Sequence, residues 1–498
     1  MPDSKTPKPN FRVVIVGGSI AGLTLAHCLL RKNIDFVVLE SHDEIAPQVG
    51  ASIGLIPNGF RILDQLGACD DILAATVPVS ESYFWTEQAK LITPNRTAKF
   101  VHERHGYPIA FVDRQLVLEV LHKHLGPGQE RVLTNKKVVR VDHHPDGVKV
   151  HCSDQSVFEG DLIVGADGVR SVVRRQMWEY MESKGLEKEV AEERQRMVSS
   201  YSCVFGISTP TPGLEPGINH RTFTEGWSFL ESTSKEGRVY WFLFKKLDRK
   251  YSASEIPRFD QAIVDQYVEP YLKKPISNIV SFRDIYSRAI AKTLLPLEEA
   301  CYKHWAIGRL VCVGDSVHKM TPNLGQGGNS AIESAASLAN SLVSLLESSS
   351  DTKPSVTELH ACLQTWQEKR RPRAQNIFDQ ANTLTRLEAV DTFSDKVKAH
   401  YLLPYLEDYL TRKMSKTIAG AAKVDYLPEP AKALTCKVPF DDCRPSQDAE
   451  ELVAVILSSV AGVLLSIIGA ENIAAVIVLC IIIGIAIRVV ALVGVAIV

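Results

Sequence analysis

Three glycines that could cradle a phosphate stand directly after a short apolar run. Residues 11–16 are rich in β-branched side chains, which is typical of a buried parallel strand. Gly17 and Gly18 end this run, and Gly22 lies in a stretch whose leucine spacing predicts an amphipathic helix. A strand that enters a helix through such a turn gathers backbone N–H groups at the positive helix end, which suits a pyrophosphate. Ser19 replaces the second glycine of the strict dinucleotide pattern, but its small side chain still permits a close phosphate approach.

An acidic residue follows at the spacing that a ribose contact requires. The segment 34–39 reads as a second strand, and Glu40 stands at its end. A carboxylate at this position can accept hydrogen bonds from a ribose 2′-OH and repels a 2′-phosphate. The simpler alternative is a solvated glutamate at a strand end. Strand, glycine turn, helix, strand and acid in this order predict a bound dinucleotide, FAD or NAD rather than NADP.

An arginine stands where a helix would disfavour it. Residues 111–125 show the apolar spacing of a helix that Asp113 would cap, so Arg114 falls in the first turn. Because the helix dipole favours anions at this end, the cation is better explained if it reaches a phosphate. Gly54, in a stretch punctuated by glycine and proline, indicates either backbone running close to a large ligand or an ordinary turn.

Two further segments predict a strand that ends in a glycine turn. In residues 161–171, DLIVGADGVRS, Asp167 either caps the following helix or holds a ribose or ribitol hydroxyl. In residues 314–329, GDSVHKMTPNLGQGGN, Asp315 follows a strand and Gly328 lies in a loop ahead of a helix of small residues. The N-terminus of that helix offers N–H groups to an anion or to an electron-rich ring edge.

Composition excludes several other classes of protein. With 498 residues and a formal net charge of −2, the chain is long enough for two domains and is not a general nucleic-acid binder. The ten cysteines form no C-x-x-C pair, so neither a zinc site nor a redox dithiol is indicated, and we predict no metal. The polar N-terminus has no apolar segment typical of a secretory signal.

The C-terminal residues have a different composition from the rest. Residues 452–470 are uncharged and long enough to span a bilayer, and a second apolar segment covers 473–487. This pattern predicts a membrane tail. The tail is either a helical hairpin or one span with a re-entrant segment, because the second apolar segment is short and Arg488 would be costly inside the bilayer. We expect a membrane protein, at the endoplasmic reticulum, whose catalytic part faces the cytosol.

These segments together predict an α/β fold. A Rossmann-type dinucleotide-binding domain is interleaved with a β-sheet substrate domain and followed by C-terminal transmembrane helices. The predicted parts are a disordered lead at 1–10, the first part of the dinucleotide-binding domain with inserted strands at 11–180, most of the substrate domain at 181–300, the second part of the dinucleotide-binding domain at 301–390, a helical region and linker at 391–450, and a membrane tail at 451–498.

The three glycine motifs in this order are similar to those of the class A flavin-dependent monooxygenases of the para-hydroxybenzoate and salicylate hydroxylase type. The resemblance covers about residues 11–385. The Gly-Gly-Ser start, the GWSFL segment at 226–230 and the apolar tail more narrowly resemble the membrane-associated FAD epoxidases of fungal meroterpenoid and indole-diterpene biosynthesis.

The resemblance implies a role for each motif residue. It places Gly17, Gly18 and Gly22 at the FAD pyrophosphate, Glu40 at the adenosine ribose, Gly54 and Gly328 near the flavin ring, Arg114 as an FAD-binding arginine, Asp167 and Gly168 in a motif that serves FAD and NADPH, and Asp315 at the ribitol or pyrophosphate. It also implies that NADPH binds transiently, reduces FAD and lets O2 supply one oxygen atom to an alkene or an activated ring. Tyr201 and Arg170 are candidate catalytic groups on the substrate side, although packing explains Tyr201 equally well.

The sequence and the resemblance together predict an FAD-dependent monooxygenase that epoxidises the prenyl chain of a lipophilic terpenoid or meroterpenoid intermediate. The expected partners are this substrate, O2 and membrane lipid, with no nucleic acid, and the oligomeric state is left open. One alternative is an aromatic-ring hydroxylase on the same scaffold, which would form a phenol instead of an epoxide. The other is a flavin-binding membrane protein without oxygenase activity.

Overall fold

The computed structural model describes residues 11–47, 52–349 and 353–440. Along these residues the strands, in chain order, are β1 Arg12–Val16, β2 Asp35–Leu39, β3 Ser52–Leu55, β4 Glu81–Trp85, β5 Leu91–Asn95, β6 Ala110–Asp113, β7 Val132–Leu133, β8 Val138–His144, β9 Gly147–Cys152, β10 Val157–Gly160, β11 Leu162–Gly165, β12 Val198–Ser208, β13 Ile218–Thr222, β14 Trp227–Thr233, β15 Val239–Ser252, β16 Ala289–Cys301, β17 Ala306–Ile307, β18 Leu310–Cys312 and β19 His318–Lys319. The α-helices are α1 Ile20–Leu30, α2 Pro57–Gln65, α3 Cys69–Ala74, α4 Thr97–His105, α5 Arg114–His124, α6 Val172–Glu182, α7 Glu187–Arg194, α8 Val264–Val268, α9 Phe282–Tyr286, α10 Gln326–Ser348, α11 Val356–Glu388, α12 Phe393–Val397, α13 Glu407–Ala419 and α14 Ala431–Leu434.

A six-stranded sheet carries the glycine turns. Its order is β17-β18-β11-β1-β2-β7, and its neighbours run parallel except β17 and β18. Strands β1, β2 and β11 consist almost wholly of buried apolar residues, as expected for a parallel sheet that is covered on both faces. Because these strands are parallel, their carboxyl ends meet at one edge, and the turns at 17–18 and 166–168 follow directly from that edge.

An eight-stranded sheet forms the second large β-structure. Its order is β19-β16-β12-β15-β14-β13-β4-β5, with antiparallel neighbours except the parallel pair β13 and β4. Side chains alternate between its faces, and one face buries Phe229 and Trp241 against Phe282 of α9. The opposite face carries Leu230 and Phe242 in a separate apolar cluster. A three-stranded sheet, β10-β9-β8, and the pair β3-β6 complete the β-structure of the described residues.

The chain passes repeatedly between the two large sheets. Strands β1 and β2 belong to the six-stranded sheet, β4 and β5 to the eight-stranded sheet, and β11 to the six-stranded sheet again. After β12–β16 in the eight-stranded sheet, β17 and β18 return to the first one. This arrangement is consistent with the predicted α/β class and its interleaved sheets. The residue boundaries given for the domains stay predictions.

The transmembrane part of the predicted fold needs correction. In the segments 11–47, 52–349 and 353–440, no helix is both long enough and apolar enough to cross a membrane. The two longest helices, α10 and α11, carry charged side chains along their length, among them Glu333, which accepts hydrogen bonds from Arg370 and Arg373. The predicted transmembrane fold and membrane localisation are therefore wrong for the described chain, and the predicted tail at 451–498 lies outside the described residues.

Candidate active site

A cavity of about 600 Å³ brings together residues of both large sheets. Ten of the twelve candidate site residues line it: Gly17, Gly18, Glu40, Gly54, Arg114, Asp167, Gly168, Arg170, Asp315 and Gly328. The carboxyl ends of β1 and β2 contribute Val16 and Leu39, while β14 and β15 of the eight-stranded sheet contribute Leu230 and Phe242. The cavity therefore has a polar region beside the glycine turns and an apolar wall on the eight-stranded sheet.

The first glycine turn is built so that no side chain fits inside it. Gly17 has a φ of +105°, and a Cβ there would lie 2.4 Å from the carbonyl oxygen of Ala166. Gly22 does not line the cavity, but its Cβ would lie 1.9 Å from the oxygen of Gly17, so a glycine is required for α1 to begin against the turn. Helix α1 begins at Ile20, and its N-terminus points its backbone donors toward the turn.

Glu40 is held in its charged form at the end of β2. One carboxylate oxygen accepts a hydrogen bond from Gly18 N at 2.7 Å. The other accepts from Ser41 Oγ at 3.1 Å, from His42 N at 3.0 Å and from the His42 ring at 2.7 Å. Burial alone would raise the pKa of Glu40, but these donors lower it below the usual range. A charged acceptor thus lies beside the turn, where a ribose hydroxyl would need it.

Arg114 reaches the glycine turn from the start of α5. Its Nη2 donates to Ser19 Oγ at 2.7 Å, which is its one hydrogen bond from the side chain within the described residues. Burial lowers the pKa of Arg114, and the carboxylates of Asp315 and Glu40 oppose that shift. The sequence predicted that Asp113 caps α5. Its side chain does not cap the helix, because it forms a bidentate ion pair with Arg238. A largely buried guanidinium with unused donors suits a phosphate group.

Asp167 caps a helix with one of its two carboxylate oxygens. Its Oδ2 accepts from Val172 N at 2.6 Å and Val173 N at 3.2 Å, at the start of α6. Its buried Oδ1 has no hydrogen-bond partner in the described part of the chain. Burial raises the pKa of this carboxyl. The capping interpretation of Asp167 therefore describes Oδ2, while Oδ1 is buried beside Gly165 and is not exposed to the cavity.

Asp315 and Lys319 form an ion pair on the cavity wall. The distance between Asp315 Oδ2 and Lys319 Nζ is 2.6 Å, and both side chains are partly exposed. Burial of Lys319 acts to lower its pKa, but the carboxylates of Asp315 and Glu298 raise it overall. Lys319 was not a candidate from the sequence, because it lies on β19, where the four-residue spacing of helical ion pairs does not apply.

Gly54 and Gly328, the two glycines assigned to the flavin ring, lie where β3 packs against the loop before α10 and the start of this helix. A Cβ at Gly328 would lie 2.4 Å from Ile53 Cδ1, and a Cβ at Gly54 would lie 3.7 Å from Gly325 Cα. Asn329 Nδ2 donates to the backbone oxygens of Gly54 at 2.8 Å and Gly325 at 2.7 Å. The buried amide of Asn329 therefore fastens β3 to the turn that precedes α10. The space beside Gly325 and Gly327 stays open to the cavity, and we call this space the flavin slot.

The two candidate catalytic residues occupy different environments. Arg170 lines the cavity, but its side chain is 65% exposed and lies 4.0 Å from Glu298. Tyr201 is fully buried and does not line the cavity. Its hydroxyl donates to Asp391 Oδ2 at 2.7 Å, and burial together with this carboxylate raises its pKa well above the usual range. The structure thus brings Arg170 to the site and leaves Tyr201 in the packing between β12 and the residues after α11.

The apolar wall was missed by residue-level reasoning. Phe111 on β6, Leu230 on β14 and Phe242 on β15 all line the cavity. The sequence predicted a β-sheet substrate domain, but alternation along a strand does not reveal which face meets the cavity.

The cavity residues fit FAD. A glycine cradle, the N-terminus of α1 and the guanidinium of Arg114 suit a pyrophosphate, and Glu40 beside them suits a ribose. The flavin slot beside Gly325 and Gly327, next to apolar side chains, suits a flat ring system. No group of three or more His, Cys, Asp or Glu side chains that could hold a metal ion occurs among the described residues.

Comparison with known proteins agrees with this cofactor. A family model described as FAD binding domain matches residues 10–381. The FAD-dependent monooxygenase cdmI of Talaromyces verruculosus is 41% identical over 432 residues, which cover 85% of this chain and 88% of that protein. The FAD-dependent monooxygenase atmM of Aspergillus flavus is 41% identical over 426 residues, which cover 86% of this chain and 88% of that protein.

Solved structures share the fold at lower sequence identity. HpxO of Klebsiella pneumoniae, complexed with FAD and uric acid, is 21% identical with a TM-score of 0.68, and the match covers 84% of this chain and 99% of that one. The 2,6-dihydroxypyridine-3-hydroxylase of Arthrobacter nicotinovorans is 19% identical with a TM-score of 0.59, covering 78% and 95%. With its matched FAD binding domain and its relatives, the chain belongs to the family of FAD-dependent monooxygenases, and its cofactor is FAD.

Proposed function

We propose that this protein uses NADPH and O2 to epoxidise an alkene in the prenyl chain of a lipophilic terpenoid or meroterpenoid. In this reaction one oxygen atom enters the C=C bond, the other leaves as water, and NADPH with one proton supplies the two electrons that balance the equation. Relatives at 41% identity are named FAD-dependent monooxygenases, which supports the oxygenase part of the proposal. The alkene, the prenyl chain and NADPH are the finer parts that need a test.

The polar region of the cavity holds the cofactor in this proposal. The turn at Gly17 and Gly18 and the guanidinium of Arg114 bind the pyrophosphate, and Glu40 binds the adenosine ribose. Asp315 accepts hydrogen bonds from hydroxyl groups of the cofactor, and Asp167 holds the start of α6 beside it. When FAD is bound and reduced, it supplies the activation of O2, and the protein orients the substrate and excludes water.

The apolar wall is the observation that carries the choice of an alkene. Leu230 and Phe242 are the cavity residues contributed by β14 and β15, and Phe111 joins them from β6. None of these three side chains can take or give a proton. Epoxidation of an alkene needs no deprotonation of the substrate, whereas hydroxylation of a phenol ring is helped by a base near the reacting carbon. An apolar wall also favours a hydrocarbon chain by removing its surface from water.

Arg170 is the charged residue that we place at the rim. Its long, mostly exposed side chain lies near Glu298 and can contact a charged molecule that visits the cavity briefly. We therefore propose Arg170 as a contact for the NADPH phosphates and not as a group that reacts with the alkene.

Isotope labelling separates the possible reactions. The holoprotein is incubated with NADPH, 18O2 and a prenylated aromatic probe, and the products are analysed by mass spectrometry and NMR. We expect one 18O atom in an epoxide on the prenyl chain. One 18O atom in a new phenol would indicate ring hydroxylation instead, and consumption of NADPH with hydrogen peroxide as the sole product would contradict oxygenation of this probe class.

A further inference from the structure

A mostly buried arginine, Arg221, connects the apolar wall to the loop before α10. Arg221 lies on β13 directly opposite Leu230 of β14, so the two side chains share one face of the eight-stranded sheet. Leu230 lines the cavity, and so do Pro322 and Gly325 of the loop. The Arg221 Nη1 atom donates to the backbone oxygen of Asn323 at 3.3 Å. The Arg221 side chain therefore connects the apolar wall to the loop that borders the flavin slot.

A carboxylate at the end of α11 completes this connection. One oxygen of Glu388 accepts a hydrogen bond from Arg221 Nη1, and the other accepts from Asn323 Nδ2 at 2.5 Å. Thr385, one turn earlier, places its Oγ1 2.8 Å from Asn323 Oδ1 and 2.8 Å from Thr321 Oγ1. Glu388 and Asn323 are fully buried, and Arg221 is 17% exposed. The loop is thus fastened by both its side chains and its backbone.

The end of α11 is itself fixed to the eight-stranded sheet. The backbone N–H of Thr224 donates to Glu388 O at 3.1 Å, and that of Gly226 donates to Ala389 O at 2.9 Å. The backbone of Glu388 is therefore fixed to the turn that joins β13 to β14, and this holds the Glu388 carboxylate in place. Burial raises the pKa of Glu388, while Arg221 and Asn323 act to lower it. Removal of either partner would leave a buried charge without compensation.

We propose that Arg221 and Glu388 are positioning residues that hold the 321–325 loop against the eight-stranded sheet and so fix the gap between the flavin slot and the apolar wall. Neither residue lines the cavity, so they act through Asn323 and Leu230 and not on the substrate. The meaning of this gap for oxygen transfer rests on the proposed function, but the mechanical connection does not.

Hydrogen exchange on the FAD-loaded protein tests the connection. In Arg221→Met and in Glu388→Gln we expect the amides of 318–328 to exchange about tenfold faster or more than in the natural protein, because a buried ion pair is broken. We also expect the visible absorption and circular dichroism bands of the flavin to change, since the loop borders its ring. Glu388→Gln keeps the shape of the side chain and gives the test if Arg221→Met does not fold.

A second buried ion pair supplies the control. Arg61 on α2 is 1% exposed and donates to Glu429 at 2.5 and 2.9 Å, and neither residue lines the cavity. Arg61→Met should lower the melting temperature without changing exchange in 318–328 or the flavin bands. Unchanged exchange in Arg221→Met or Glu388→Gln, or an equal effect of Arg61→Met, would overturn the proposal. If the natural protein forms no epoxide product, the proposed function is rejected, while the exchange experiment still tests the connection through Arg221 and Glu388.

Discussion

The polar and apolar regions of the cavity are built from the sequence in different ways. The polar region depends on contiguous segments, since Gly17, Gly18 and Ser19 are neighbours and Glu40 closes the same β-α-β unit. The apolar wall depends on Phe111, Leu230 and Phe242, which come from three separate strands. The difference shows why the cofactor can be read from short motifs while the substrate cannot.

The same contrast appears in the forces at each region. At the polar region, hydrogen bonds and charges fix single atoms, as four donors do for the carboxylate of Glu40. At the apolar wall, the affinity for the substrate depends on burial of hydrocarbon surface, and the free energy gained is roughly proportional to the buried area. Changes to the polar region should therefore weaken FAD binding strongly, and changes to the apolar wall should weaken substrate binding by degrees while FAD stays bound.

The largest effect is expected from filling the glycine turn. Gly22→Val places carbon atoms where the Cβ alone would lie 1.9 Å from Gly17 O. Overpacking of about 3 kcal/mol would weaken FAD binding by about a hundredfold, measured by flavin absorbance per folded protein. Gly420→Ala is the control, because φ there is −78° and a Cβ would lie at an ordinary 3.5 Å from Arg373 Nη1. Full FAD content in Gly22→Val would show that α1 does not need to begin against the turn.

A smaller loss should follow removal of one carboxylate at the cavity. Asp315→Ala removes a charged acceptor and leaves Lys319 without its 2.6 Å partner. A hydrogen bond to a charged group contributes about 2 kcal/mol, so we expect FAD to bind about thirtyfold more weakly in a fluorescence titration. Asp71→Ala, an exposed carboxylate on α3, should leave FAD affinity unchanged. Equal FAD affinity in Asp315→Ala and the natural protein would remove Asp315 from the cofactor site.

The apolar wall offers the reverse experiment. Leu230→Asn should keep FAD bound but weaken binding of a prenylated aromatic probe about tenfold, because the lost burial is worth about 1.5 kcal/mol. Leu295→Asn is a matched control, since Leu295 lies on β16 of the same sheet and is 44% exposed. Loss of FAD from Leu230→Asn would contradict the division of the cavity into two regions.

The smallest effect on FAD binding is expected at a buried acid on the other face of the eight-stranded sheet, where a substitution changes stability instead. Burial raises the pKa of Glu231 to about 8 from its ordinary 4.5, although Thr233 donates to it at 2.6 Å. Between these two pH values the unfolded chain binds fewer protons at this residue than the folded one, so its contribution to stability falls as pH rises from about 4.5 to about 8. We expect Glu231→Gln to raise the melting temperature at pH 8 and to have little effect at pH 5.

An equal shift at both pH values, or destabilisation at pH 8, would show that Glu231 is ionised in the folded protein. The effect should leave FAD content unchanged, because Glu231 does not line the cavity.

The sequence led to residues of the polar region because the motifs that select them are local. The order of strand, glycine turn, helix and acid led to Gly17, Gly18 and Glu40, and the structure places all three on the cavity. Gly22 was selected by the same motif, and its place behind the turn follows from the close contact of α1 with Gly17 O.

Long-range contacts decided the residues that sequence reasoning could not place. Asp113 fits the pattern of a helix cap, yet Arg238, 125 residues away, takes both of its oxygens. Tyr201 fits the pattern of a pocket tyrosine, yet it bonds to Asp391, 190 residues away. No local pattern reveals such partners, and the alternation of a strand leaves open which face meets the cavity.

A titration of the flavin spectrum with a prenylated aromatic probe tests the central claim most directly, because it asks whether FAD and an apolar ligand share one cavity. The purified protein should carry bound flavin, and the probe should perturb its visible bands in a saturable way that weakens about tenfold in Leu230→Asn. Well-folded protein without flavin, or a flavin spectrum that the probe leaves unchanged at saturation, would contradict the account.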